Sequence, residues 1–220
     1  MDADTGQGVV TYSLNELESL LKKAAVGAGL PVGHAVAIAG AGVWLARRKL
    51  PVCEIIARAV ADGVRESAVE SGGTGLAFKA ARAAVDGPAA IDLLLAGTVD
   101  ETITLNDVDE PALLVGLAGA AAQVHGVSIA LDAGDGEMVL GVGAEIVPAE
   151  WRAAGKRTLV MRQCNDLNGG DAGNLATRYD PAACADSGWD QLVALAHRTY
   201  VPASDQSRLS GAGAGLTDND

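Results

Sequence analysis

The run Ala35–Ala46, AVAIAGAGVWLA, constrains the fold more than any other stretch of the chain, and Arg47, Arg48 and Lys49 follow it directly. Crossing a bilayer takes roughly 18–20 apolar residues, so this run is too short to span one. It reads instead as a buried helix whose small side chains permit close packing. Pro31 suits its first turn and Pro51 ends it, which predicts one continuous helix from about Pro31 to Leu50. Gly40 and Gly42 each weaken that helix by roughly 1 kcal/mol against alanine. Close approach of a second helix is therefore expected at both glycines.

The same stretch mimics a dinucleotide-binding turn if it is read as strand, glycine turn and helix. The third small residue of that fingerprint would fall at Leu45, and only a short helix would fit before Pro51. The fingerprint needs a whole βαβ unit with helix N–H groups facing a pyrophosphate. The helical reading is the stronger.

A core of this kind is imposed by composition. Hydrophobic residues make up 49% of the 220, but aromatics only 3%, and Phe78 is the sole phenylalanine. Ala, Val, Leu and Ile must fill the interior. The 28 acidic and 16 basic residues give a formal net charge of −12. That excess argues against a nucleic-acid backbone or an anionic membrane surface as partner. The acidic start MDADTGQGVVTYS lacks the basic and apolar regions of a signal peptide. Cys53, Cys164 and Cys184 are scattered without a CxxC, which suits a reducing bacterial cytosol and small apolar fillers.

Along the chain the hydrophobic period changes. Ser13 and Glu16 form a capping box for a first helix, with Leu14, Leu17, Leu20, Leu21 and Ala24 on one stripe and Gly27 and Gly29 as its stop. A third helix follows Pro51 through Val60 and Val64. A break at residues 71–74 precedes two short helices near Leu76–Val85 and Ala89–Leu95. Beyond it, Thr102–Leu105 reads as a strand, and Asp109, Glu110 and Pro111 open a helix through His125. Val127–Leu131 and Glu137–Val142 read as a hairpin, Thr158–Met161 as a strand, and Trp189–Tyr200 as a last helix. The expectation is an α+β protein: a helical N-terminal lobe over residues 1–97, then an α+β lobe with a small mixed sheet over residues 98–220, or the two as one compact domain.

Familiar catalytic patterns do not fit. In NDLNGGDAGN, residues 165–174, Gly170 stands where a third calcium ligand belongs and Thr177 stands where a bidentate glutamate belongs. DAGDGE reads as a turn. His34, His125 and His197 are far apart and form neither HxxxH nor HExxH, and there is no GxSxG. No catalytic residue, metal or cofactor is assigned.

The opening YSLNELESLLKKAAVGAGLPVGHAVAIAGAGVWLARRKLP and the ending RTYVPASDQSRLSGAGAGLTDND together resemble a family of bacterial proteins known as domain of unknown function number 3726. Its most specific parts are SLNE and the VPAS, SR and GAGAGLTDND elements. The resemblance implies a shared fold and carries no activity. The N-terminal helices also resemble the start of the malate/L-lactate dehydrogenase family distinct from the Rossmann enzymes. That family's Ser-His-Gly signature is missing, so no nicotinamide cofactor is carried over.

The ending itself is the candidate site. Ser204, Ser207, Arg208, Thr217, Asp218 and Asp220 surround Gly211, Gly213 and Gly215. Arg208 offers a planar fork for a carboxylate, and the glycines let backbone approach another surface. The segment reads as a docking strand, or as a site for a small anionic ligand with Asp218 as base or metal ligand. The function expected is a non-catalytic binding or accessory subunit, with a homo-oligomer or a partner enzyme as partner. The alternative is a small-molecule enzyme built on the ending.

Overall fold

The computed structural model describes residues 11–65, 67–72, 75–97, 102–141, 147, 151, 155–164, 175–181 and 186–200. The chain is α+β. Its described elements run β1 (Tyr12–Ser13), α1 (Leu14–Gly27), α2 (Val32–Ala46), α3 (Val52–Val60), β2 (Ala68–Gly72), β3 (Gly75–Lys79) and α4 (Asp86–Leu95). β4 (Thr102–Val108), α5 (Pro111–His125), β5 (Ser128–Asp132), β6 (Glu137–Leu140), β7 (Arg157–Cys164), β8 (Arg178–Tyr179) and α6 (Trp189–His197) follow.

The first helix starts as its sequence dictates. Ser13 Oγ accepts from the Glu16 amide, and Glu16 returns a bond to the Ser13 amide at 2.7 Å. That backbone bond holds the Glu16 carboxyl below the usual range. Leu17, Leu21 and Ala24 are buried on the predicted stripe, and the helix ends at Gly27.

α2 is the expected Ala/Gly helix and contains no strand, which removes the nucleotide-turn reading. It stops at Ala46 rather than Leu50, because residues 47–49 form a turn in which Lys49 has φ 59°. Of Gly40 and Gly42, only one is closely packed. A Cβ on Gly42 would meet Leu21, Ile56 and Val52, whereas a Cβ on Gly40 would meet nothing. α5 lies along another side of α2, where the Trp44 ring sits against Gly119.

The predicted helix at Leu76–Val85 is not formed. Residues 68–79 are instead the hairpin β2–β3, with Glu70 opposite Ala77 and Val69 opposite Phe78. Alanine and glycine hide the alternation there, while Ser71 and Gly72, at the start of the break read at 71–74, close the pairing of β2 with β3.

One six-stranded mixed sheet has the order β2-β3-β4-β7-β5-β6, with β3 and β4 parallel and every other pair antiparallel. β3 and β4 stand on opposite sides of residue 97, so the sheet crosses that expected division of the chain. α4 is the crossover between them. Ile103 and Leu105 of β4, with Leu159 and Met161 of β7, are fully buried and alternate with less buried neighbours. They join the helices in a single apolar core. β1 pairs with β8 in a separate two-stranded ribbon.

Candidate functional site

α2, α4 and α5 converge on a cleft of about 300 Å³. Each helix reaches it for a reason visible in sequence. Pro31 gives α2 its N-cap without a side-chain hydrogen bond, so the first turn, Val32-Gly33-His34, presents uncapped amides. α5 ends one residue before Gly126, whose φ of 64° closes the helix in the left-handed region. That termination leaves Val124 and His125 beside the start of α2. α4 supplies Ile91, Asp92 and Leu95 as the third wall.

The cleft floor is apolar, from Ala37, Leu117 and Ala121. Its surroundings are unusually apolar for a surface: Val32 is 61% exposed, Val36 48% and Val124 78%. Three polar side chains stand on the walls, His34, Asp92 and His125. Among the described residues, His34 Nδ1 is buried and has no hydrogen-bond partner.

Two ion-pair networks hold the starts of the helices α4 and α5. Arg82 is buried; its Nε donates to Asp109 at 3.0 Å, and the Asp86 carboxylate accepts from the Arg82 amide at 2.6 Å. The Ser67 hydroxyl donates to the same Asp86 carboxylate. This ties the start of α4 to the segment that leads into α5. Ala80 (φ 48°), just after β3, and Asp107 (φ 50°), at an irregularity in the pairing of β4, both lie in the left-handed region. Ala81 bridges them through bonds with Asn106 and Asp109. In the second network Arg58 bonds Glu110 at 2.7 Å and Glu54 at 2.5 Å.

Burial raises the Glu110 carboxyl above its ordinary range, and the Arg58 bond only partly offsets this. Arg58 is raised in turn, first by its bond to Glu110. The asymmetry follows from exposure: Glu110 is buried, whereas the Arg58 side chain is 35% exposed. Asp109 and Glu110 therefore do more than complement the dipole of α5, the role their sequence position suggested.

Ser204, Ser207, Arg208, Gly211, Gly213, Gly215, Thr217, Asp218 and Asp220 lie outside the described residues, as does the 165–174 loop. The cleft uses none of them. It does unite two of the scattered histidines, His34 and His125, whose separation in sequence gives no spacing signal. His197 lies elsewhere, against Tyr200 in an edge contact. Among the described residues no group of three His, Cys, Asp or Glu is placed to hold a metal ion. Among the same residues no helix is long and apolar enough to cross a membrane.

The model of a family described as protein of unknown function (DUF3726) matches residues 12–109. The matched stretch, under half of the chain, is similar to that family. It includes the SLNE opening on which the resemblance rested and stops before the GAGAGLTDND ending. The matched stretch carries α1 to α4 and β1 to β4, hence two walls of the cleft, α2 and α4. The third wall, α5, lies beyond it. A search of curated proteins found no match to the chain.

Proposed function

We propose that this protein is a non-catalytic binding protein, an accessory subunit of the bacterial cytoplasm whose binding site is the cleft between α2, α4 and α5. The observation that carries the reading is the cleft itself: an apolar hollow of about 300 Å³ with the polar side chains His34, Asp92 and His125 on its walls. Ligand sites are concave, mostly apolar and furnished with a few convergent polar groups, and about 300 Å³ is the lower end of their range. A binding role suits the charged groups as well. The buried Arg82, Asp86 and Glu110 are each engaged with protein partners and brace helices. The carboxyl that burial raises, Glu110, belongs to that bracing.

The test is amide-shift mapping by NMR with a panel of small aliphatic and aromatic compounds. Saturable shifts are expected at Gly33–Ala37, Ile91–Leu95 and Leu117–His125. Ala121→Phe, which fills the hollow, should abolish them while the melting temperature stays within about 5 °C. Shifts centred elsewhere, or unchanged in the Phe variant, would refute the assignment.

A further inference from the structure

We infer that a groove between α1 and α6 is the docking site of this chain's own segment Gly211–Asp220, with Leu216 on its apolar lining and Asp218 against Lys23. The groove holds about 460 Å³ and shares no residue with the cleft of α2, α4 and α5. Three features point to this occupant.

The first is where the chain leads. Tyr200, the last described residue, lines the groove and is 54% exposed. Lys23 of α1 reaches across to it: Nζ donates to the Tyr200 hydroxyl at 3.4 Å and lies 5.2 Å from the ring centroid. Residues 201–220 therefore start from the edge of the groove itself. That tether gives the segment a high effective concentration there, which a free ligand lacks.

The second is the order of charge. One end of the groove carries Lys23 and His197, and among the described residues neither forms an ion pair. Toward the other end stands Glu16, whose carboxylate is held by the Ser13 amide. The segment divides in the same way: Leu209–Thr217 is uncharged, and Asp218 and Asp220 follow. The acidic residues suit the Lys23 end, and the Gly/Ala run suits the end at Glu16.

The third is spacing. Leu20, Val193 and Ala196 are the apolar lining. Leu20 and Lys23 stand three positions apart on α1, about 4.5 Å along its axis. In an extended chain Leu216 and Asp218 point to the same side, about 6.6 Å apart. One extended segment thus sets an apolar side chain on Leu20 and a carboxylate within reach of the long Lys23 side chain. Gly211, Gly213 and Gly215 let its backbone come close to both helices. The chain from Tyr200 to Leu216 can extend over about 50 Å, ample to turn back along the groove.

The test is methyl NOE spectroscopy of the full chain with labelled Leu and Val methyls. Cross-peaks from Leu216 to Leu20 and Val193 are expected, and Leu216→Ala identifies them by removing them. Lys23 is exposed, so Lys23→Glu leaves the core intact. It should weaken the cross-peaks about twofold, the scale of an exposed ion pair. Adding Asp218→Lys should restore them. A mixture of chains labelled only at Leu with chains labelled only at Val reports contacts between copies alone. A Leu216–Val193 cross-peak of full strength in that mixture would give the groove to a second copy and overturn the inference. So would the absence of these cross-peaks in the uniformly labelled chain, or cross-peaks indifferent to both charge changes.

Discussion

Gly40 and Gly42 stand two residues apart on one helix and have opposite surroundings. Both weaken α2 by leaving the backbone free in the unfolded chain. At Gly42 the missing side chain makes room for Leu21 of α1 and for Val52 and Ile56 of α3, all fully buried. At Gly40 nothing fills the space. Gly40→Ala should therefore raise stability by about 0.5–1 kcal/mol. Gly42→Ala gains the same propensity but must displace buried Leu21, and overpacking typically costs about 1–3 kcal/mol. A net loss is expected. Urea unfolding of the two variants beside the parent decides the matter: shifts of the midpoint in the same direction would show that α2 does not pack as described. The sequence pattern called for close packing at both positions, because it shows how small a residue is and not which way it points.

At the scale of elements, the contrast is between local and distant capping. The Ser13–Glu16 box was legible because its partners are three residues apart. α3 has no cap of its own. Its first amides, Cys53 and Glu54, donate to Asp186 at 2.7 and 2.8 Å, and Tyr179 donates its hydroxyl to the same carboxylate. Asp186 thus latches the segment between β8 and α6 onto α3 from more than a hundred residues away. Its Oδ1 also takes the Gly188 amide at 3.0 Å. Replacing a capping carboxylate by alanine costs about 1–2 kcal/mol. Asp186→Ala should lose at least that, since several donors are orphaned together, and Asp186→Asn, which keeps one acceptor oxygen, should lose less. A midpoint for Asp186→Ala within about 0.5 kcal/mol of the parent would mean that the latch contributes nothing. Long periodic helices and the β5–β6 hairpin were legible for the same reason as the first cap: their signals are local. The β2–β3 hairpin was not, since Ala68, Ala77, Gly72 and Gly75 carry no hydrophobic alternation. The cleft was not either, because only the tertiary fold brings residues 34, 92 and 125 to one place.

Across the whole molecule, the helical layer is tied to the sheet by charges that composition alone would place in solvent. Arg58 and Glu110 join α3 to the start of α5, and Arg82 and Asp109 join the loop before α4 to the exit of β4. Such pairs lose solvation on burial and recover it only through good geometry. The Glu110 carboxyl records which side prevails: burial raises it, more than Arg58 lowers it. The consequence for stability has a definite sign. A glutamate unfolded in water titrates near about 4.3. Raised in the folded state, Glu110 favours folding fully below that value, and the contribution is lost as pH rises through the folded value. Glu110→Gln keeps an acceptor for Arg58 and cannot titrate. The stability of the parent relative to Glu110→Gln should therefore fall as pH rises from about 4.3 through the raised folded value. Measuring guanidinium unfolding of both proteins at several pH values isolates this one group, since every other titration is common to the pair. If the difference grew in the parent's favour with rising pH, the ion pair with Arg58 would outweigh burial, and the bridge between α3 and α5 would be a source of stability at neutral pH rather than a constraint on how the two helices meet.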